Sequence, residues 1–552
     1  MSLLATLLRS GYLRVVDHAL AQSLLHLRPD TPDDVLAAIA LASRAVAEGH
    51  SRLPLAHVGE FLTDLLPEHE PPNLPALADW LELLRASPWI VEGQVALLVG
   101  EALSLRRYWL HETRLATALL ARLDASDRLQ LLTGGPGTGK TTRAAQRIVE
   151  LSARSPQPLR IALAAPTGKA ASRLGEVVNA RLAKMETEGV AGAASARRHP
   201  IEARTLHRLL GWHHGGGVGH HAGAPLPYDV VVVDEASMID LPMMARLLDA
   251  VATDACLILI GDRDQLPSVD TGDVLAALCD AADRNPRLAA QRTQLTTVHR
   301  QNELSEVGEL AGLIRTGDVD AVTARLRARG FTGVRWWEAR DELLAPFCLE
   351  LALPAYRAVQ AAATPALALA LATRFRVLTA VREGPAGSQT LNALIATALD
   401  PARRGDGMFQ GRLVLVTANS PRHGLYNGDI GIAWPDEDGE PRVWFENNSS
   451  PLPLAGEGQG GGLRAWLPSA LPAHESAFAL TVHKAQGSEF DRVLLALPER
   501  GARVLARELL YTGLTRCRNE IVLWASEIAL REAIARRAQR WSGLAERLEK
   551  NA

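Results

Sequence analysis

Residues 134–141 read Gly134-Gly135-Pro136-Gly137-Thr138-Gly139-Lys140-Thr141, the spacing G-x-x-x-x-G-K-[ST] of a phosphate-cradling loop. Glycines there let successive backbone N–H groups curl around phosphate oxygens, and a helix opening at the threonine adds partial positive charge. In such a loop the lysine bridges the β- and γ-phosphates of a nucleotide, and the threonine hydroxyl ligates Mg²⁺. Lys140 and Thr141 are therefore the candidates for holding ATP and Mg²⁺, with a chance glycine-rich turn as the competing reading. Downstream, Val231-Val232-Val233-Asp234-Glu235 delivers two carboxylates at the end of an apolar run. Asp234 suits the magnesium shell, and Glu235 suits orienting or deprotonating the attacking water; an ordinary strand end is the alternative. Gly261-Asp262-Arg263-Asp264-Gln265-Leu266-Pro267 follows the next apolar run, and Gln265 is the candidate for sensing hydrolysis, against a plain turn.

A sheet must bring these segments side by side. Short β-branched runs alternate with helical periodicity from about 129 to 313, as parallel βαβ units require. The spacing predicts strands at 129–133, 161–165, 230–233 and 257–260, each ending where a polar motif begins, and ligands gather at such carboxyl ends. Residues 1–120 carry Leu and Ala at spacings of three and four and predict a helical domain. After an Ala-rich helical stretch, a second α/β segment starts at Phe375-Arg376-Val377-Leu378-Thr379. Residues 404–473 turn to short strands, Gly and Pro, with a glycine-rich run at 456–463, and predict a small β-barrel-like insertion. The α/β pattern resumes at Phe478 and ends in helix. The expected division is thus 1–120, 121–320, 321–403 with 474–552, and 404–473. The glycine- and histidine-rich loop at 213–224 lacks an ordered ligand spacing, so it reads as a disordered surface loop rather than a metal site.

The chain of 552 residues is too long for one core. Its formal net charge of −3 supplies no overall basic field, so any nucleic-acid binding must come from local basic grooves. Four scattered cysteines, Cys256, Cys279, Cys348 and Cys517, show no metal-ligand spacing and point to a reduced, cytoplasmic protein. The apolar N-terminus is interrupted by Arg9, Arg14, Asp17 and His18 at helical spacing and reads as an amphipathic helix, not a signal peptide. No stretch approaches the ~20 apolar residues of a membrane span.

Together the motifs resemble superfamily 1 helicases, and within them the RecD family, the alpha chain of the RecBCD enzyme (exodeoxyribonuclease V). The resemblance covers about 103–548 and follows the family's motif order. To the segments above it adds Ala165-Pro166-Thr167-Gly168-Lys169-Ala170-Ala171, Thr205-Leu206-His207-Arg208-Leu209-Leu210-Gly211, Thr481 to Asp491 and Tyr511 to Arg518. More particular to RecD are Leu425-Tyr426-Asn427-Gly428-Asp429-Ile430-Gly431, Phe375 to Asn392, Arg107-Tyr108-Trp109 and Arg540-Trp541-Ser542-Gly543-Leu544. The resemblance implies an α/β fold of two RecA-like P-loop motor domains, a helical N-terminal domain for subunit contact and a small SH3-like insertion. It also implies an ATP-dependent 5′→3′ DNA helicase acting on single strands and duplex ends. Such a chain works in double-strand break repair and DNA degradation, beside RecB-like and RecC-like subunits in a heterotrimer.

By the same resemblance Arg300 and Arg516 reach the transferring phosphate. Pro166, Thr167, Lys169, Thr205 and His207 contact the single-strand backbone, and His483, Gln486 and Ser488 line the cleft between motor domains. The competing readings are an ordinary strand-to-helix turn for Pro166, Thr167 and Lys169, a packed turn for Thr205 and His207, and a core strand followed by a polar turn for His483, Gln486 and Ser488. RecD proteins usually carry a longer segment before the phosphate loop, with a glutamine-containing helix that recognises adenine; here only 115–127 intervenes, without such a glutamine. No nuclease cluster of Asp, Glu and Lys is visible, so cutting would fall to another subunit. A stand-alone RecD-like helicase, or a regulatory subunit with a weakened motor, are the alternatives.

Overall fold

The computed structural model describes residues 2–123, 127–199, 201–212, 217–296, 306–328, 332–403, 407–420, 422–446, 462–499 and 504–550. Arg300 and the glycine-rich residues 456–461 lie outside them, as do 213–216 of the glycine- and histidine-rich loop.

The N-terminal part packs around helix Asp33–Ala47, in which nine residues are buried. A helix enclosed on most sides must be apolar nearly all round, which is how its Val-Leu-Ala-Ala-Ile-Ala-Leu-Ala run reads. The purely helical expectation missed a small antiparallel sheet in the order β1 (Leu53–Pro54), β3 (Ala102–Leu105), β2 (Ala96–Val99). Strands of two to four residues leave too little alternation to register in a sequence. Helix Arg106–Leu120 packs its Leu115, Ala116 and Leu119 into the core of the following α/β lobe, not into the N-terminal core.

Lobe one is a six-stranded parallel sheet. Its strands are β4 (Leu129–Gly134), β5 (Ile161–Ala165), β6 (Ala203–Thr205), β7 (Val230–Val233), β8 (Cys256–Gly261) and β9 (Arg292–Leu295), in the order β6-β5-β7-β8-β4-β9. Every residue of β5, β7 and β8 is buried, because helices cover both faces of a parallel sheet and leave no polar side to alternate with. The edge strands β6 and β9 are short and half polar, and for that reason escaped sequence reading.

Lobe two is a five-stranded parallel sheet of β10 (Val334–Glu338), β11 (Phe375–Thr379), β17 (Ala479–Thr481), β18 (Phe490–Ala496) and β19 (Cys517–Ala525), ordered β10-β19-β18-β11-β17. Between β11 and β17 the chain leaves to form a separate antiparallel sheet. That sheet is β15 (Leu463–Trp466), β14 (Pro441–Glu446), β13 (Ile430–Pro435), β12 (Leu413–Val416) and β16 (His474–Ser476), in this order. The returning chain is fastened to lobe two at several points. Arg376 is buried and donates to the carbonyls of Ala477 and Ala372. The Tyr356 hydroxyl donates to Phe478 O at 2.6 Å, and Asn392 exchanges hydrogen bonds of 2.8 and 2.9 Å with Ala479.

The C-terminal segment then crosses back. Trp541 stacks on His50 of the N-terminal part at 4.3 Å, and helix Leu544–Lys550 buries Leu544 and Leu548 in the lobe-one core. Glu112 pins this junction from below: its carboxylate is buried and accepts from Ser51 Oγ (2.6 Å), Ser542 Oγ (2.8 Å) and Gly543 N (2.8 Å). All four cysteines are buried and free. No helix among the described residues is long and apolar enough to cross a membrane.

Candidate functional site

The loop after β4 turns through two left-handed glycines, Gly137 and Gly139, both at φ +80°, a conformation that any Cβ would strain. Helix Lys140–Arg154 starts immediately after, so its free N–H groups face the loop. Lys140 Nζ donates to the carbonyls of Gly134 (2.5 Å) and Gly135 (2.8 Å), and Thr138 Oγ1 donates to Gly135 O at 2.8 Å. The Thr141 hydroxyl has no hydrogen-bond partner among the described residues.

At the end of β7, Asp234 accepts the N–H of Glu235 at 2.8 Å. Burial, and next the Glu235 carboxylate, push its pKa up to about 6, while Lys140 pulls the other way. Glu235 sits at φ +52°, the only described non-glycine residue with positive φ. A residue with a Cβ held there costs of order 1–2 kcal/mol and persists only where its surroundings impose it.

At the end of β8, Gln265 is buried and donates to Asp262 Oδ2 at 3.3 Å, while its own carbonyl oxygen is buried without a partner. The Tyr511 hydroxyl, from lobe two, donates to the same Asp262 oxygen at 2.9 Å. Burial raises the Asp262 pKa, and the Lys140 charge is the largest opposing influence. Two more hydrogen bonds cross the interface here, Leu266 N to Thr512 Oγ1 at 2.8 Å and Gln486 Nε2 to Leu266 O at 3.2 Å. Nearer the rim, Arg173 of lobe one pairs with the mostly buried Glu489 of lobe two at 3.0 Å.

These contacts frame a cleft of about 570 Å³, lined from lobe one by Gly135, Pro136 and Thr138 and from lobe two by Tyr511, Thr515 and Arg518, with Arg315 at its side. Arg516 is not on the cleft surface. It is buried behind it, donating to Thr512 O (3.3 Å) and Ser488 O (3.4 Å). Asp262, Tyr511, Arg315 and Arg518 were missed as individual candidates. Asp262, Tyr511 and Arg518 stood inside recognised motifs, whereas Arg315, on a helix outside them, had no sequence signal.

The polar residues of the next two motifs gather elsewhere, where lobe one meets the antiparallel insertion. Thr167 caps its helix by accepting from Ala170 N at 3.3 Å, with Pro166 half-buried before it and Lys169 exposed just beyond. Thr205 caps the next helix, accepting from Arg208 N at 3.4 Å, and the Arg208 guanidinium lies over the Tyr426 ring at 5.3 Å. His207 tilts against Trp212 at 5.1 Å. Gly487 approaches Thr167 across the lobe boundary. Ser488 is buried, and its carbonyl holds Arg516; His483 instead faces a second cavity of about 930 Å³ shared by the N-terminal part, lobe one and the C-terminal segment. Of the loop at 213–224, the described residues include a tight turn, with His221 and Ala224 exchanging backbone hydrogen bonds of 3.2 and 2.8 Å. Among the described residues no cluster of three or more His, Cys, Asp or Glu has metal-holding geometry.

The chain is 37% identical to the RecBCD enzyme subunit RecD of Mycobacterium tuberculosis over 582 aligned residues, covering 98% of this chain and 96% of that one. The chain belongs to the RecD family. The family models agree: the RecD N-terminal domain matches residues 9–102, an AAA domain 116–335 and the UvrD-like helicase C-terminal domain 476–524. A RecD-family relative, the ATP-dependent RecD2 DNA helicase of Deinococcus radiodurans, is 33% identical over 77% of this chain and 51% of its own length. Among solved structures, the Pif1 helicase from Bacteroides in complex with ADP-AlF3 and ssDNA is similar at 18% identity, with a TM-score of 0.35 over 75% of this chain and 92% of that one.

Proposed function

We propose that the chain hydrolyses ATP between its two parallel-sheet lobes and converts the change in their contact into 5′→3′ travel along single-stranded DNA. As a member of the RecD family it is an ATP-dependent DNA helicase. The finer reading is a cytoplasmic subunit of a RecBCD-type complex, held with RecB-like and RecC-like chains. There it acts at duplex ends in double-strand break repair and DNA degradation. The observation that carries the motor is the shared cleft, with the phosphate loop on one wall and Tyr511, Thr515 and Arg518 on the other.

Incoming phosphates replace the Gly134 and Gly135 carbonyls as partners of Lys140, while the N–H groups of Gly135, Gly137, Thr138 and Gly139 cradle them. Thr141 and Asp234 fit Mg²⁺: one offers an unengaged hydroxyl, the other a carboxylate that burial leaves in need of a cation. Bound there, Mg²⁺ neutralises charge on the phosphate oxygens. Glu235, held in its strained conformation, aims a carboxylate at the attacking water. Arg315 and Arg518 already face the cleft, and Arg516 joins them by giving up its long hydrogen bonds to Thr512, Ser488 and Thr515. Gln265 senses the γ-phosphate through Asp262. Pro166, Thr167, Lys169, Thr205 and His207 hold the strand by its backbone, which suits a motor that must not stop at a preferred base. His483, Gln486 and Ser488 couple that grip to the cleft. The test is Lys140→Ala: the purified variant keeps its fold and loses single-strand-stimulated ATP hydrolysis, and undiminished turnover would sink the reading.

A further inference from the structure

A recess of about 680 Å³ lies on the far side of helix Arg106–Leu120, where this helix meets Leu20 of the N-terminal part and Arg246 of helix Leu241–Ala250. Arg106, Arg107, Arg114 and Arg246 line it together with His111, and no carboxylate does. Burial pushes the His111 pKa down, and the Arg107, Arg246 and Arg114 charges push it further, so at least three guanidinium fields converge on one ring. None of the four arginines has a carboxylate within salt-bridge distance among the described residues; Asp249 is within electrostatic range of Arg114 but not paired with it. Arg106, Arg107 and Arg114 are exposed and Arg246 is half-buried. Asp240 acts on Arg246 only through space, as Asp249 does on Arg114, so on a chain of net charge −3 the four make a local positive patch suited to an anionic ligand.

The recess does not stand alone. The Arg246 guanidinium lies over the Trp212 ring at 4.5 Å, Trp212 leans on His207 at 5.1 Å, and Arg208 beside it covers Tyr426 at 5.3 Å. Arginine and aromatic rings thus alternate from the recess to the Thr205–Arg208 segment. Alternation of cations with π-faces suits a phosphate backbone carrying stackable bases better than an acidic peptide, which offers no rings to stack.

We propose that Trp212 and Arg246 carry the strand grip on from His207 into this recess, a second stretch of DNA-binding track that holds the phosphate backbone of single-stranded DNA beyond the Pro166–His207 surface. The track extends the reading of the chain as a DNA motor and rests on it. The full-length chain with Arg107→Ala and Arg114→Ala tests it, using fluorescent oligo-dT of about 8 and about 40 nucleotides, lengths chosen to fill one site or both. Wild type binds the long oligonucleotide more tightly than the short one. In the double variant this advantage falls about tenfold, and the slope of log affinity against log salt drops by roughly 1.4, about 0.7 for each lost phosphate contact. Binding of the short oligonucleotide, and the ATPase it stimulates, stay at wild-type level, whereas failure of the motor reading would abolish that ATPase in wild type as well. Arg107→Lys with Arg114→Lys restores the salt slope. Unchanged long-oligonucleotide affinity and slope in the alanine variant overturn the track, and so does a variant that binds DNA normally while losing a protein partner.

Discussion

The hydroxyl of Tyr511, carried by lobe two, donates a 2.9 Å hydrogen bond to Asp262, carried by lobe one. Gln265 donates to the same carboxylate oxygen, and Gly135 of the phosphate loop approaches the Tyr511 hydroxyl closely. One buried carboxylate therefore touches both the second lobe and Gln265, the proposed sensor of hydrolysis, and Tyr511 links it on to the phosphate loop.

Tyr511→Phe removes that reading without changing side-chain volume much. A hydrogen bond to a charged group is worth about 1.5–3 kcal/mol, so single-strand-stimulated turnover should fall about tenfold or more while thermal unfolding stays near wild type. Steady-state ATPase with saturating oligo-dT measures it, and unchanged kcat would mean that the two lobes are coupled elsewhere.

Asp234 has a folded-state pKa raised to about 6 from an ordinary value near 3.8. A raised folded-state carboxyl pKa costs stability once the unfolded chain's carboxyl ionises, so the cost is absent below about 3.8, grows as pH rises from there to about 6, and is full above. Asp234→Asn should therefore melt higher than wild type at pH 8 in the absence of nucleotide, with the gap closing at pH 4, and should be inactive throughout. A gap independent of pH would contradict the assignment.

Glu112 joins the N-terminal part, helix Arg106–Leu120 and the C-terminal crossing through Ser51, Ser542 and Gly543. Glu112→Ala leaves the Ser542 hydroxyl and the Gly543 N–H unmatched, leaves Ser51 only its 3.2 Å bond to Trp541 O and takes the carboxylate from Arg547, a loss of roughly 3–5 kcal/mol. Urea unfolding followed by Trp fluorescence reports it. A cost under about 1 kcal/mol would show that water replaces the carboxylate at this junction.

Glu235 occupies a left-handed conformation at φ +52°. Glu235→Gly and Glu235→Gln should each lower turnover about 100-fold or more, the usual contribution of a positioned general base. The glycine variant should be at least as stable as the glutamine variant, since only glycine is unstrained there. Paired melting curves and ATPase assays decide it, and a glycine variant clearly less stable than the glutamine one would mean that the φ value carries no strain.

The phosphate loop, the two carboxylates after β7 and the central strands were legible because each is written in consecutive residues. A buried parallel strand is a run of β-branched residues, and a phosphate loop is a fixed spacing of glycines with Lys140 and Thr141. The edge strands β6 and β9 and the sheet at Leu53, Ala96–Val99 and Ala102–Leu105 were not legible, because short, half-polar segments look like turns. Arg516 illustrates the other limit. Its place in a motif was plain, yet its burial against Ser488, with Arg518 facing the cleft instead, depends on how one helix end packs on the turn before β18, 28 residues away in the chain.

By itself, then, the sequence determined that a nucleotide phosphate is bound, on which side of a parallel sheet, and to which family the chain is similar. Local backbone geometry and residue type settle those questions without reference to distant partners. Only the tertiary structure decided that Tyr511 meets Asp262, that Arg173 meets Glu489, that the C-terminal helix returns to lobe one, and that four arginines converge beside His111. These are pairings between segments up to several hundred residues apart. Nothing in the order of residues encodes them until packing of the apolar faces fixes which surfaces touch.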